Sequence, residues 1–214
     1  MNPTENRDYS MSNLDLVHER RRIRNLGKSA RRAIDDRAIR SQAISQRLQS
    51  LEEYRQASSV LFYVHLHDEV QTIDSIACAL DQQKAVSVPY CFENRLRLFA
   101  LQKLEELEPG AFGILEPPPA LRRLPSKQVD VRSVDLVIVP GVAFDLHGGR
   151  LGYGKGFYDR LLADAPKGTK KIGLAFDSQI FEHIPMESHD IPMDIVITET
   201  ATHLAKPTHN RTTH

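Results

Sequence analysis

Val134-Asp135-Leu136-Val137-Ile138-Val139-Pro140-Gly141 is the stretch on which the fold turns. Four apolar residues follow one another from Leu136 to Val139, so a strand here has no wet face. Such unbroken runs fit strands buried on both sides of a parallel sheet, whereas a half-exposed strand alternates. Pro140-Gly141 closes the run, because proline has no N–H to carry the ladder on.

Working outward, Val60 to Val64 and Ala85-Val86-Ser87-Val88 read as earlier strands, the second ending at Pro89. Leu96 to Leu101 alternates and suits a strand with one wetter face; Lys171 to Phe176 and Asp194 to Thr198 read as later strands. Helical spacing lies between them. Ile34, Ala38, Ile44, Leu48 and Leu51 place one or two helices over 18–52, with a break near Gly27, and Ile73, Ile76, Ala77 and Leu80 mark another. Pro117-Pro118-Pro119 excludes helix and central strand, so 116–125 is expected to be an extended surface connection. This alternation predicts an α/β fold, a three-layer Rossmann-like sandwich on a mostly parallel sheet, with ligands beyond the strand C-termini.

The chain has 214 residues, enough for one well-buried domain, which the pattern places at 18–200 between flexible segments at 1–17 and 201–214. Lys plus Arg and Asp plus Glu number 28 each, so overall charge favours neither nucleic acid nor membrane. No apolar run is long enough to span a bilayer, and residues 1–12 lack the apolar core of a signal peptide. Cys78 and Cys91 stand apart from any metal-ligand spacing and read as reduced thiols. A cytoplasmic protein acting on small molecules, with neither nucleic acid nor membrane as partner, is the expectation.

The chemistry concentrates in Gly148-Gly149-Arg150-Leu151-Gly152-Tyr153-Gly154-Lys155-Gly156-Phe157-Tyr158-Asp159, ahead of a helix over Phe157 to Ala163. Glycines at this density leave backbone N–H groups free to turn toward an anion, and a helix start adds a positive dipole end. Gly149, Gly154 and Lys155 nearly complete a P-loop, but Gly156 stands where a hydroxyl should reach a metal ion. Asp159 is the nearest substitute oxygen ligand. The bland alternatives are a solvated loop lysine and a first-turn acid complementing the helix dipole. A GxGxxG dinucleotide fingerprint fails at Phe157.

Two further features stay open on the residues alone. Arg20-Arg21-Arg22-Ile23-Arg24, with Lys28, Arg31 and Arg32, is a solvated face, an RNA-contacting arm, or a phosphate grip in which Arg20 and Arg24 share one face. Asp68-Glu69, past the first strand, caps a helix or holds a substrate, with capping favoured. His203, His209 and His214 are too irregular for a metal site.

Asp135 to Asp145, then Arg150 to Asp159, with support from Arg20 to Arg24, Asp68-Glu69 and His189-Asp190-Ile191-Pro192-Met193-Asp194, resemble the 5-formyltetrahydrofolate cyclo-ligase family from about 18 to 199. The resemblance implies a fold related to the ribose-5-phosphate isomerase and CoA-transferase group, and an ATP- and Mg²⁺-dependent enzyme, expected to be a monomer. It implies that ATP phosphorylates the formyl oxygen of 5-formyltetrahydrofolate and that N10 then closes the ring. It implies nucleotide contacts at Arg20, Arg24 and Arg150 through Tyr158, namely Arg150, Leu151, Gly152, Tyr153, Gly154, Lys155, Gly156, Phe157 and Tyr158. Folate contacts fall on Val64, Glu69 and Tyr153 to Phe157, and metal-binding acids on Asp159 and Asp190. Lys155 and Arg150 are the expected catalytic cations. Arg20 stands where lysine is common, which keeps the charge and changes its geometry. The rivals are a sugar-phosphate isomerase or CoA-transferase of similar fold, and an RNA-binding module using the arginine-rich helix.

Overall fold

The computed structural model describes residues 12–110 and 113–205. Helices α1 (Asn13–Arg32), α2 (Arg37–Ser50) and α3 (Glu52–Gln56) lead into strand β1 (Ser59–Leu61), helix α4 (Ile73–Asp81), β2 (Ala85–Phe92) and β3 (Arg95–Leu101). Short strands β4 (Glu108–Pro109), β5 (Leu115–Glu116) and β6 (Gln128–Val129) follow, with α5 (Pro119–Arg122) among them. Then come β7 (Leu136–Val139), β8 (Ala143–Asp145), β9 (Arg150–Leu151), α6 (Phe157–Ala163), β10 (Lys170–Leu174), β11 (Ile180–Phe181), β12 (Ile195–Ile197) and β13 (Thr202–Leu204).

Eight strands form the main sheet in the order β13-β12-β10-β7-β1-β2-β3-β6. The five from β12 to β2 run parallel, and β13, β3 and β6 add antiparallel edges. The α/β sandwich on a mostly parallel sheet is therefore as expected. β7 shows why its sequence is unbroken: Leu136 and Ile138 pack with Ile44 and Leu48 of α2 and Ile76 of α4, while Val137 and Val139 pack with Leu161 and Leu162 of α6. Burying each such side chain contributes about 2 kcal/mol, so a polar residue at any of the four positions is costly on either face.

Several local expectations are corrected. α1 starts at Asn13, where the Ser12 hydroxyl accepts from the Asp15 N–H, so 13–17 is helix and not a flexible extension. It runs through Gly27 without a break. That glycine permits close approach, since a Cβ there would stand 2.4 Å from the Val142 carbonyl oxygen. β2 continues past Pro89 to Phe92. Ser87 accepts from the Phe62 N–H, so Pro89 turns its missing donor to the side on which β1 has already ended. Pro119 opens the single turn of α5, a position where its absent N–H costs nothing. The expected tail from 201 contributes edge strand β13, in which His203 faces Val196. His209 and His214 lie outside the described residues. No helix among the described residues is long and apolar enough to cross a membrane.

Candidate functional site

The chain order reverses direction across the sheet at β1: β2 lies on one side of it and β7, β10 and β12 on the other. The crevice beyond the C-terminal ends of β1 and β7 is thus the topological switch point, where open α/β sheets bind ligands. The segment leaving β1 carries Val64 and Glu69. The segment leaving β7 carries the β8–β9 hairpin and the loop from Gly152 to Gly156.

The hairpin accounts for part of the glycine cluster. Asp145, 1% exposed, accepts from the N–H groups of His147 and Gly149 with Oδ1 and from Ile184 with Oδ2. Gly148 and Gly149 close this turn and belong to the scaffold, so the five glycines are two devices rather than one. The loop proper is different. Among the described residues, no N–H group from Gly152 to Gly156 donates to another protein group. Gly154 holds φ +93, a left-handed conformation that an L side chain would strain. A cleft of about 350 Å³ lies beside it, lined by Gly154, Lys155, Gly156, Asp159, Arg160 and His189. Lys155 is exposed, with Nζ 5.7 Å from the Phe157 ring centre and no acid paired to it among the described residues. α6 starts at Phe157 as expected and is seven residues long.

Arg150 is 6% exposed; its Nη2 donates to Asp159 Oδ1 at 2.8 Å. Asp159 Oδ1 also accepts from the Ile191 N–H, which sets Asp159 beside the loop of Asp190. Asp190 accepts from Arg20 through both oxygens and from the Glu187 N–H. Burial pushes the Asp190 carboxyl up, but Arg20 and that N–H outweigh it and hold the group below the usual carboxylate range. Arg20 and Arg24 do share one face of α1, yet they part ways. Arg20 is consumed by Asp190, Glu187 and the Pro185 carbonyl, while Arg24 reaches the loop, donating from Nε to the Gly152 carbonyl at 3.1 Å. Burial, reinforced by Arg20, lowers the Arg24 pKa. Arg20 and Arg31 turn inward, which removes them from any outward RNA-contacting face.

On the β1 side, Glu69 is 5% exposed and accepts from the Leu66 N–H at 3.0 Å. It tightens its own turn and caps no helix, so the favoured capping role is corrected; Thr72 occupies the N-cap of α4. Burial pushes the Glu69 carboxyl up, and the Leu66 N–H and Arg31 offset this only in part. Val64 is half-buried against the core. Tyr158 packs between both halves of the core, its hydroxyl buried without a partner among the described residues and its pKa raised by burial. Phe157 is half-buried, with the Arg160 guanidinium 5.3 Å from its ring centre. Leu151 is fully buried in β9 and supports the loop from below.

Among the described residues, five buried side-chain polar atoms lack a protein partner, and three of them, Arg150 Nε, Arg31 Nε and the Tyr158 hydroxyl, belong to residues of this region, the others being Arg37 Nε and the Tyr54 hydroxyl. Buried groups of this kind ordinarily find a partner, which bound water can supply. Residues 16–199 match the model of the 5-formyltetrahydrofolate cyclo-ligase family. The chain belongs to that family. A probable 5-formyltetrahydrofolate cyclo-ligase of Schizosaccharomyces pombe is 30% identical over 187 residues, covering 81% of this chain and 89% of the relative. The 5-formyltetrahydrofolate cyclo-ligase of Haemophilus influenzae is 33% identical over 162 residues, 73% and 84% of the two chains. The solution structure of Aquifex aeolicus 5,10-methenyltetrahydrofolate synthetase superposes with a TM-score of 0.74 at 32% identity, covering 91% of this chain and 99% of that one. Family membership was legible in the glycine loop and the motifs flanking it. Arg31 was missed as a site residue, because nothing in a run of arginines distinguishes the one that points inward.

Proposed function

We propose that this chain converts 5-formyltetrahydrofolate to 5,10-methenyltetrahydrofolate with consumption of ATP and release of ADP and phosphate, as a Mg²⁺-dependent cytoplasmic monomer. The observation that carries the reading is the loop from Gly152 to Gly156, whose N–H groups find no acceptor among the described residues, beside Lys155, which pairs with no acid among them. Its relatives' names supply the folate; the loop supplies the reason for a polyphosphate. Both cysteines are free, which suits a reducing compartment.

A formamide oxygen leaves poorly. Transfer of the γ-phosphoryl group onto it makes a good leaving group, after which N10 attacks the former formyl carbon, phosphate departs and N10 loses its proton. Phosphoryl transfer asks a protein chiefly for positioning and charge neutralisation. In this reading the loop N–H groups and Tyr153 to Tyr158 cradle the phosphates, Arg24 steadies the loop beside them, and Lys155 meets the developing charge on the transferred group. Arg150 lies beneath, orienting Asp159. Arg20 braces Asp190. Val64, Glu69 and Phe157 line the folate side, and the Tyr158 hydroxyl gains a partner when that side fills.

Mg²⁺ fits the acids present. Asp159 Oδ2 makes no hydrogen bond to a described residue, and the side chain lines the cleft. Asp190 fits by sharing the carboxylate it gives to Arg20. Glu187 and His189 lie with Asp190 in a group whose ligand atoms are within 4.8 Å of one another. When bound, the ion would offset the negative charge of the phosphates. The test is direct: purified protein, MgATP and 5-formyltetrahydrofolate, followed by the near-ultraviolet absorbance of the methenyl product. An ATP-dependent rise is expected, and its absence in a folded sample defeats the reading.

A further inference from the structure

Arg31 lies at the last turn of α1, in the crevice between the ends of β1 and β7, and is 1% exposed. Its guanidinium touches three segments that border the crevice. Nη2 donates to Asp68 Oδ1 at 2.8 Å and to the Tyr153 hydroxyl, and Nη1 donates to the Gly141 carbonyl at 3.2 Å. Glu69 Oε1 stands 3.6 Å from Nη1. The guanidinium carbon lies 5.6 Å from the centre of the Tyr153 ring. Thus one buried group reaches the segment after β1, the end of β7 and the glycine loop, which approach one another through it. No hydrogen bond joins Glu69 to Tyr153 directly among the described residues.

A buried guanidinium with two carboxylates is a poor source of net stability, since desolvation consumes much of the attraction. A planar fork with fixed donor directions is, however, well suited to holding several groups in one geometry. We propose that Arg31 is a positioning residue for the reaction, setting the folate-side acid Glu69 and the nucleotide-side Tyr153 in register through a single guanidinium. This rests on the functional reading above. It makes no contact with substrate through Arg31 itself. Instead it assigns the spacing between the two substrate sites to a residue outside both.

The test compares Arg31→Lys with wild type and adds a double-mutant cycle between Glu69→Gln and Tyr153→Phe. Lysine keeps the charge and loses the fork, so KM should rise about tenfold for 5-formyltetrahydrofolate and several-fold for MgATP, with a smaller loss in kcat. A folded Arg31→Lys protein whose two KM values stay within about twofold of wild type overturns the proposal, because a merely structural arginine would lower the melting temperature and leave both unchanged. If Arg31→Lys does not fold, the cycle decides. Glu69→Gln and Tyr153→Phe should be coupled in kcat/KM, the double variant differing at least twofold from the product of the single effects. Simple multiplication of the two overturns the proposal. Absence of wild-type turnover sinks the functional reading alone, and the same cycle is then read in denaturant unfolding, where additive effects overturn the assignment of Arg31.

Discussion

Beneath the glycine loop, Arg20, Arg31 and Arg150 are each buried and each held by carboxylates, whereas Lys155 in the loop is exposed and unpaired among the described residues. The floor has its charges neutralised, its donors mostly occupied and its geometry fixed by β7, β9 and α1. The loop above it has two left-handed glycines, Gly154 and Gly156, and N–H groups that donate to no protein group among the described residues. A charge that must meet a ligand is kept where water already solvates it, so its desolvation is deferred until the ligand arrives. Charges that must not move are buried in pairs. The division separates residues expected to fail in turnover from residues expected to fail in folding or in alignment.

Lys155→Ala gives the largest effect and the sharpest break. Loss of a donor aimed at developing charge costs on the order of 100-fold in kcat, while the melting temperature should not change, since no core volume or ion pair is removed. Near-normal turnover would move Lys155 out of the chemistry and erase the contrast. Asp159→Asn sits on the boundary between the two regions. It should raise the Mg²⁺ concentration for half-maximal rate by about tenfold, the scale of losing one ligand or its support, and it also weakens the bond that orients Arg150. An unchanged Mg²⁺ titration would place Asp159 wholly in the floor.

Asp190→Asn gives the smallest effect and concerns acid stability. The folded pKa of Asp190 is lowered, so its ionised form stabilises the fold above the unfolded value near pH 4, and that contribution disappears as pH falls through the lower folded pKa. Wild type should therefore lose more stability than Asp190→Asn between about pH 4 and the acid limb, read by denaturant titration at each pH. Parallel acid profiles for the two proteins would mean that the Arg20–Asp190 pair contributes nothing to the floor.

Much of this architecture could be read from the sequence because its signals were local. Leu136 to Val139 announced two-sided burial, and Phe157 to Ala163 announced the helix behind the loop, to the residue. Other features depended on what lay across the fold. Pro89 stops a strand only when both neighbours are present, and β1 had already ended. Gly27 looked like a break and is a contact. The inward face of α1, Arg20, Ile23, Gly27 and Arg31, has helical spacing, but two arginines and a glycine hide it from any count of apolar residues. Glu69 and Arg31 could not be joined because their sequence neighbourhoods carry no common pattern; the sheet's switch point joins them.

The uninterrupted course of α1 has a mechanical corollary. Arg20 and Arg31 ride on one rod and are separated by about 16 Å along its axis, with Gly27 resting on the Val142 carbonyl between them. A single methyl wedged at that fulcrum would tilt the rod and displace the partners at both ends together, far from any bound molecule.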